Sequence, residues 1–327
     1  MRETMADTEA RTSDPAASAA AKPLIINGLT IAHRGEAEAS VGKRSTVLEL
    51  LASSGSVEVT RQWIEAGKHF FVYASDAWTG FELIYVLQGE LVLDNESADV
   101  HVRAGDYLHH TGLPEKAFFR VEEDVELLMV SSPASFHLMR DDMQDMMRMA
   151  RTVEEKDETT EDHCTRIERL AVLTGERLGM FGQDLVDLSY AAYLHDVGKT
   201  KVPDEILGKS APLTDSEWQI MRKHPGFGAE MLREKEFLGM ADKIVAAHHE
   251  RYDGTGYPKG LKGEEIPLGA RIIAVVDTYD AITSERPYQR AQAKQEAIRE
   301  LKEHAGTQLD PRVVKAFLSL IERDDRG

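Results

Sequence analysis

Two pairs of adjacent ionisable residues stand at the ends of apolar runs. His195 and Asp196 follow the run AAYL, and His248 and His249 follow the run KIVAA. Asp277 ends a third run, RIIAVV. Neighbouring residues on a helix point about 100° apart, so each pair can reach two adjacent metal ions. Burying such groups is costly unless they are paired or bound to metal, which favours a metal site.

The wider pattern extends this set of candidate ligands. A single histidine in a helix is usually structural, but here seven imidazole and carboxylate groups recur in order along the C-terminal half. Such a set, with one carboxylate bridging two ions, predicts a dinuclear metal site in the core of a helical bundle. Its members are His163, His195, Asp196, His224, His248, His249 and Asp277. Cys164 is a conceivable soft ligand, although we favour a buried, inert thiol.

The elements that must position these residues are helical. From residue 159 to 327, apolar residues recur with helical spacing, and Thr214 ahead of Glu217 has the spacing of a capping box. We therefore expect an all-α bundle over residues 159–327.

The N-terminal half has a different pattern. Residues 1–22 are poor in large apolar side chains and predict a disordered tail. Over residues 23–135, short β-branched and aromatic runs alternate with turn signals, which predicts an all-β sandwich or barrel. A linker helix is expected at 136–158, and its apolar residues have heptad spacing. Two interpretations stay open: a helix packed on its own domain, and a dimer stalk. The heptad residues are Met139, Met143, Met146, Ala150 and Val153.

Composition excludes several classes of function. A formal net charge of −18 argues against duplex nucleic acid as a partner, because duplex binding depends on Lys and Arg. One cysteine, Cys164, excludes an internal disulfide framework and fits a reducing compartment. No run approaches 18 apolar residues, and the N-terminus has no signal-peptide pattern, so we expect a cytoplasmic protein without a membrane partner.

The C-terminal motifs resemble the HD-GYP family, a subgroup of the HD-domain metal-dependent phosphohydrolases. The motifs are HDVGK at 195–199, KHP at 223–225, HHERYDGTGYP at 248–258, DTYDAITSERPY at 277–288 and GTQLDP at 306–311. The resemblance implies two divalent transition-metal ions, with Fe or Mn expected first and Co, Ni or Zn as alternatives. It also implies that Asp196 bridges the ions. The first ion would be held by His163, His195, Asp196 and Asp277, and the second by Asp196, His224, His248 and His249.

Members of this family hydrolyse cyclic di-GMP to pGpG, and commonly on to GMP. By resemblance, a water or hydroxide between the ions is the nucleophile, with Asp196 and Lys199 as the catalytic residues and Lys199 neutralising charge on the phosphoryl oxygens. Asp280 is expected to support a ligand rather than bind metal. A third metal site in some members uses a Glu where this chain has Thr159, so we predict two ions.

Substrate contacts are also implied by the resemblance. Arg286 matches a position that contacts the phosphate or guanine of the ligand. The next basic position of the family is Gln289 here, and Arg290 is a candidate substitute. Tyr257 either contacts the substrate or packs within its own loop, and the two interpretations have equal weight.

The β region resembles the cupin family, on FELIYVLQGELVL and VRAGDYLHHTGLP. Of four expected cupin metal ligands only Glu82 is present. Lys116 occupies the position of the last one, and SDAWTG replaces the His-x-His pair. His109 and His110 are interpreted as an exposed surface pair. The fold class is therefore multidomain: an N-terminal all-β cupin-like barrel, acting as a sensory or oligomerisation module, followed by the helical HD domain. The cavity of the barrel is a candidate site for a small molecule. We also expect a homodimer formed through the barrel, the linker helix or both.

Three functions follow as hypotheses. The first is an active cyclic di-GMP phosphodiesterase regulated by the N-terminal domain, which the complete ligand set and Lys199 favour. The second is a catalytically weak cyclic di-GMP receptor that signals through protein contacts. The third is an HD hydrolase acting on another nucleotide, such as cyclic GMP-AMP.

Overall fold

The structure is a computed structural model of the chain. It describes residues 24–26, 29–33, 35–43, 45–72, 80–93, 99–114, 116–156, 163–209, 211–235, 238–284 and 294–324. The predicted disordered tail at 1–22 lies outside these residues. Among the helices that are described, none is both long enough and apolar enough to cross a membrane.

Within the described residues, twelve strands form the N-terminal part, called here the β unit. The strands are β1 (Leu24–Ile26), β2 (Leu29–Ile31), β3 (Ala39–Lys43), β4 (Thr46–Ser54), β5 (Val57–Ile64), β6 (His69–Val72), β7 (Phe81–Gln88), β8 (Glu90–Leu93), β9 (Val100–Arg103), β10 (Tyr107–His110), β11 (Ala117–Val121) and β12 (Val125–Ser132). They build an antiparallel six-stranded sheet in the order β10-β7-β12-β5-β4-β3, a four-stranded sheet in the order β6-β11-β8-β9, and the pair β1-β2.

Alternation along the strands places the core of the β unit between the two larger sheets. On β12, Val125, Leu127 and Met129 are buried, and the residues between them are partly exposed. Successive side chains of a strand point to opposite faces, so such a strand covers a core with one face only. From the four-stranded sheet, Phe70 and Phe119 enter the same core, with their ring centroids 5.8 Å apart.

The same alternation corrects our interpretation of the histidine pair on β10. His109 is exposed and lies beside the rings of Phe81 and Tyr107, whereas His110 is buried. His110 Nε2 lies 3.1 Å from Glu82 Oε2 on the neighbouring strand β7. Interpreting both histidines as exposed was therefore wrong for His110, because adjacent strand residues cannot share a face.

Helix α1 (Phe136–Lys156) joins the β unit to the helices that follow, and it packs against both. Met139 and Met143 contact the core of the β unit, whereas Met146, Ala150 and Val153 belong to the core of the helical part. In the structure, the heptad residues are thus covered within one chain, as the first of our two interpretations expects.

The C-terminal part, the helical unit, packs around helix α8 (Leu268–Thr283), whose apolar residues Ile272, Ile273, Val275 and Val276 are fully buried. The predicted capping box at Thr214 and Glu217 is confirmed at the start of helix α5 (Asp215–Met221). The helices are α2 (His163–Arg177), α3 (Gln183–Tyr193), α4 (Asp204–Leu207), α5 (Asp215–Met221), α6 (His224–Arg233), α7 (Ala241–Val245), α8 (Leu268–Thr283), α9 (Lys294–His304) and α10 (Pro311–Asp324), with a 3-10 turn η1 (Val197–Lys201) between α3 and α4.

The predicted fold class is confirmed: an all-β unit is followed by an all-α unit in one chain. In the β unit, residues 75–79 of the SDAWTG segment lie outside the described residues. Among the described residues, the clusters of three or more side chains that could hold a metal ion all lie in the helical unit. Lys116 Nζ bonds to Gln183 Oε1 of α3 at 2.7 Å, so it forms a contact between the two units.

Candidate metal centre and active site

The Asp196 carboxylate lies between two groups of imidazoles. Its Oδ2 is 3.3 Å from His195 Nε2, and its Oδ1 is 3.3 Å from His224 Nε2 and 3.8 Å from His248 Nε2. Ligand atoms of His163, His195 and Asp196 lie within 4.8 Å of one another, and so do those of Asp196, His224, His248 and His249. One carboxylate is therefore shared by two clusters, each able to hold a metal ion.

Three of the histidines are oriented by the helices that carry them. Each lies at or just beyond the end of a helix or at the start of one, where its Nδ1–H donates to a backbone carbonyl three residues earlier. Because a carbonyl only accepts, Nδ1 carries a proton, and Nε2 is the ring nitrogen that faces Asp196. The three bonds are His195 to Ala192 at 2.9 Å, His224 to Met221 at 2.8 Å and His248 to Val245 at 2.7 Å.

His163, the first residue of α2, is oriented by a carboxylate instead. Its Nδ1 lies 2.7 Å from Asp280 Oδ2, and Arg166 donates to both oxygens of Asp280 at 2.7 and 3.1 Å. The hydrogen bonds and ion pairs to His163 and Arg166 hold the pKa of the buried Asp280 well below its usual range, against the effect of burial. Asp280 therefore lies behind His163, in the position that a ligand-supporting carboxylate occupies in metal sites.

Charge within the site is balanced unevenly. Burial by itself would raise the pKa of Asp196, but Lys199, His195 and His224 hold it well below its usual value. Burial likewise opposes protonation of His195, yet the carboxylates of Asp196 and Asp277 raise the pKa of His195 to about 9. The negative charges at this end of the site thus suit a cation.

The other end of the site has neutral imidazoles. Burial, together with the neighbouring imidazoles, lowers the pKa of both His248 and His249, that of His249 strongly. A neutral imidazole is the form that binds metal. His195 Nε2 is buried and makes no hydrogen bond of good geometry within the described part of the chain, which is costly for a polar atom unless a ligand satisfies it. The donor set therefore fits divalent transition metals, which favour imidazole and carboxylate ligands.

Asp277 on α8 is placed differently from the other predicted ligands. Its charge acts on both His195 and Tyr257, so it lies near the site, but it is not a member of either cluster. Cys164 is buried in the apolar core of the helical unit and also belongs to neither cluster.

The turn η1 brings Lys199 to the carboxylate, since Lys199 Nζ lies 2.9 Å from Asp196 Oδ2. This turn packs directly on α6: a Cβ at Gly198 would overlap the backbone of His224 and Gly228. Only glycine fits there. The Gly of the HDVGK motif thus permits the close approach that places Asp196 and Lys199 next to His224.

The loop that contains Gly256, Tyr257 and Pro258, called here the GYP loop, closes one side of the site. The Tyr257 ring stacks on His249, with centroids 4.9 Å apart, and the Arg222 guanidinium lies 5.4 Å from the Tyr257 centroid. Burial raises the pKa of Tyr257 to about 12. Both contacts hold the tyrosine against a candidate ligand, so packing within the site is one role of this residue.

Sequence reasoning did not assign three residues that shape the site. Glu250 is buried and accepts hydrogen bonds from Lys259 N at 2.7 Å and Leu261 N at 3.0 Å, which fixes the end of the loop. Arg222 approaches Tyr257, and Arg166 holds Asp280. Glu250 directly follows the predicted ligand His249, and this position was the available signal. Nothing local marked the two arginines.

Some predicted residues lie outside the described part of the chain. Arg286, Gln289 and Arg290 fall within residues 285–293, and Thr159 falls within residues 157–162. The predictions of substrate contacts at Arg286 and Arg290 and of two rather than three ions therefore stay predictions.

The chain is similar to a known domain family and to several known proteins. The model of the HD domain family matches residues 143–313. The "Cyclic di-GMP phosphodiesterase response regulator RpfG" of Xanthomonas campestris pv. campestris is 42% identical over 53% of this chain and 46% of the relative. The "3'3'-cGAMP-specific phosphodiesterase 2" of Vibrio cholerae is 37% identical over 52% of this chain and 33% of the relative.

Among the solved structures to which this chain is similar is the Cupin_2 domain of an XRE family transcriptional regulator from Enterobacter cloacae, at 13% identity and a TM-score of 0.24, over 27% of this chain and 97% of that chain. In contrast, this chain spans less than half the length of the two phosphodiesterase relatives. The match to the HD domain covers more than half of the chain and includes all seven candidate ligands. The chain belongs to the HD domain family.

Proposed function

We propose that this chain is a metal-dependent phosphodiesterase that hydrolyses cyclic di-GMP to pGpG, GMP or both. The observation that carries the proposal is the Asp196 carboxylate shared between two imidazole clusters. Two adjacent ions on one carboxylate are a recurrent arrangement for attack on phosphorus. The relative from Xanthomonas, which is named a cyclic di-GMP phosphodiesterase, supports the choice of substrate.

The ligand assignment follows the two clusters. His163, His195 and Asp196 would hold one ion together with Asp277, and Asp196, His224, His248 and His249 would hold the other. When bound, the ions would supply Lewis-acid activation of a water and neutralisation of phosphate charge. Fe or Mn are our first expectation, and Co, Ni or Zn are the alternatives.

The protein's own groups would then orient and stabilise the reactants. Lys199, an ammonium 2.9 Å from Asp196, is close enough to meet negative charge that develops on the phosphoryl oxygens. The carbonyl bonds of His195 and His248 fix their rings before substrate arrives, so little reorganisation accompanies the reaction.

A polyanionic substrate needs local cations in a chain whose net charge is −18. Besides Lys199, the exposed Arg222 beside Tyr257 is a cationic side chain at the edge of the site. We propose that Arg222 contacts a phosphate or a guanine, both of which a guanidinium can bind. Arg286 and Arg290 are proposed as further contacts on the basis of the family resemblance.

A second substrate is favoured by a specific observation. The Vibrio relative is named a 3'3'-cGAMP-specific phosphodiesterase, and its identity to this chain is only five percentage points below that of the Xanthomonas relative (42% and 37%). Hydrolysis of the mixed cyclic dinucleotide is therefore the alternative activity. A receptor without turnover is the alternative from another class.

We also propose that the β unit regulates this activity, that it can hold a small molecule, and that the chain forms a homodimer. The contacts of α1 with both cores support regulation, since a change in the β unit reaches the helical unit through one helix.

The experiment is a turnover assay on anaerobically purified full-length protein whose metal content has been measured. Protein loaded with Fe, Mn, Co, Ni or Zn is incubated with cyclic di-GMP, with 3'3'-cGAMP and with nucleotide monophosphates, and products are separated by chromatography. We expect pGpG or GMP from cyclic di-GMP. Faster cleavage of 3'3'-cGAMP would support the second candidate, and binding without turnover for every metal would support the receptor. Asp196→Ala serves as the negative control.

A further inference from the structure

A cavity of about 180 Å³ lies between the β unit and the helical unit. Residues near and within β4 to β6 form one wall, and α1, α2 and α3 form the other. None of the candidate metal ligands lines it. Sites for small molecules are often found where two units of a chain meet.

Two buried polar atoms on the β side of the cavity lack hydrogen-bond partners. Ser45 Oγ and His69 Nε2 make no hydrogen bond to any described residue, although both residues line the cavity. His69 Nε2 lies 3.3 Å from the Glu176 carboxylate without a bond of acceptable angle. An unsatisfied buried polar atom costs about 1–3 kcal/mol, so a ligand that bonds to these two groups would gain stability.

Charges along the lining favour an anion. Glu168 accepts from Ser189 Oγ at 2.8 Å and lies 3.6 Å from Lys68 Nζ, so one anion and one cation already balance. Arg169, exposed and next along α2, forms no ion pair among the residues that the structure describes. Among the side chains that line the cavity, cationic groups therefore exceed anionic groups by one, while the Glu176 carboxylate beside His69 lies outside the lining. An excess of one cationic group suits a ligand with a single negative charge.

Most of the remaining lining is apolar and aromatic, with Thr46 and Gln62 as further polar residues. Met143 of α1, Val172 of α2, and Leu185 and Tyr190 of α3 face Phe71 of the β unit across the cavity. An apolar cavity of roughly 150 Å³ holds a benzene-sized molecule. Size and lining together fit one ring or a short branched chain, with its polar end towards Ser45 and His69.

The walls of this cavity also carry the metal centre. Helix α2 begins with His163, and α3 ends at Tyr193, two residues before His195. Leu194 N donates to Tyr190 O at 3.0 Å, so a shift of α3 at the cavity displaces the residue next to His195. A ligand that separates or draws together these helices would therefore change the spacing of two ligands of one ion.

We propose that this cavity binds a small monocarboxylate with an apolar or single-ring body, and that its occupancy regulates the hydrolase. The carboxylate would accept hydrogen bonds from Ser45 and His69 and would be attracted by Arg169. The regulatory half rests on the proposed function, whereas the binding half stands without it.

The binding test uses sodium benzoate as the probe, with benzyl alcohol and benzylamine as its neutral and cationic counterparts. Titration calorimetry and ligand-observed NMR on the full-length protein should show saturable benzoate binding, about tenfold tighter than benzyl alcohol. Arg169→Gln should remove that difference, and His69→Leu should weaken benzoate binding. Arg177→Gln, an exposed arginine on the same helix that does not line the cavity, should leave benzoate affinity unchanged. Melting curves check that each variant folds.

Absence of saturable benzoate binding would overturn the site, and so would tighter binding of benzylamine or equal benzoate affinity in the parent, Arg169→Gln and His69→Leu. Regulation is tested separately, by the rate on cyclic di-GMP and by the Mn²⁺ affinity, each with and without saturating benzoate. By thermodynamic linkage, if benzoate changes the affinity for Mn²⁺, then Mn²⁺ must change the affinity for benzoate by the same factor. If benzoate binds but changes neither quantity, the regulatory half is wrong. If turnover is absent but benzoate binds and shifts Mn²⁺ affinity, only the proposed hydrolase fails.

Discussion

Lys199 Nζ forms an ion pair of 2.9 Å with Asp196 Oδ2, the carboxylate shared by the two imidazole clusters. The pair places the Lys199 ammonium beside the candidate metal ligands, although Lys199 itself is not a metal ligand. Removing the lysine charge should therefore slow the reaction without emptying the site. We expect Lys199→Met to keep its metal and to lose about 10²-fold in kcat. Asp196→Ala should lose both turnover and metal.

The control for this experiment is Lys201→Met, because Lys201 is an exposed cation on the same turn. Metal content by mass spectrometry and kcat on cyclic di-GMP are measured for all three variants. Full activity of Asp196→Ala would show that the reaction takes place elsewhere.

Asp280 should act on metal affinity through His163. The Asp280 carboxylate, which Arg166 holds in place, lies 2.7 Å from His163 Nδ1 and orients the ring. Without this carboxylate the ring loses its orientation. We expect Asp280→Ala to weaken Mn²⁺ binding by about 10- to 100-fold. Glu264→Ala removes an exposed carboxylate paired with Arg312 and should leave Mn²⁺ affinity unchanged. Equal affinities in the two variants would contradict the role of Asp280.

Gly198 and Gly226 provide a matched pair of glycine substitutions. A Cβ at Gly198 would overlap the backbone of α6, whereas a Cβ at Gly226 meets nothing within 4 Å. We expect Gly198→Ala to destabilise the protein by about 1–3 kcal/mol and to impair metal binding. Gly226→Ala should be neutral or stabilising by up to about 1 kcal/mol. Denaturant unfolding measures both, and similar values would mean that η1 can move away from α6.

Tyr257 can be tested by separating its ring from its hydroxyl. Since the ring stacks on His249, Tyr257→Phe should retain metal affinity and most of the turnover, while Tyr257→Leu should lose the stacking and lower both. A large loss of kcat/KM in Tyr257→Phe alone, with metal content intact, would instead show that the hydroxyl contacts the substrate.

The metal-free protein should have its maximum stability near pH 6.5. His248 and His249 have lowered pKa values when folded, so below pH 6.5 the unfolded chain binds more protons and stability falls as pH falls. His195, with a pKa of about 9, gives stability below pH 6.5 that is lost as the pH rises towards 9. Each proton changes the free energy of unfolding by at most about 1.4 kcal/mol per pH unit.

Melting temperatures of chelator-treated protein between pH 5 and 9.5 measure this profile. In His195→Asn the alkaline decline should flatten, whereas the acidic decline should remain. A parent profile that rises steadily from pH 6.5 to 9 would contradict the shift assigned to His195.

The sequence was informative where chemistry and helix ends coincide. His195-Asp196 and His248-His249 end apolar runs. A polar pair at such a position can be recognised from sequence as a candidate site, because its burial is costly. The boundary between the β unit and the helical unit could be predicted, because the spacing of apolar residues changes there from that of strands to that of helices.

Contacts between segments far apart in the chain could not be predicted from the sequence. Nothing near Arg222 in the sequence indicates that it approaches Tyr257, 35 positions later. The cavity between the units likewise depends on how β6 and α2 face each other, which no local pattern encodes. His110 was misjudged because the two adjacent histidines were taken together, although their strand alternates.

Helix α1 makes the two units one cooperative system. Its Met143 completes the core of the β unit, and its Met146, less than one turn later, completes that of the helical unit. If either unit unfolded alone, the helix would either fray or expose apolar side chains to water, so the cost of partial unfolding includes part of the other core. The stabilities of the two units are therefore coupled, and an unfolding free energy measured on one unit without α1 does not equal the stability of that unit in the whole chain.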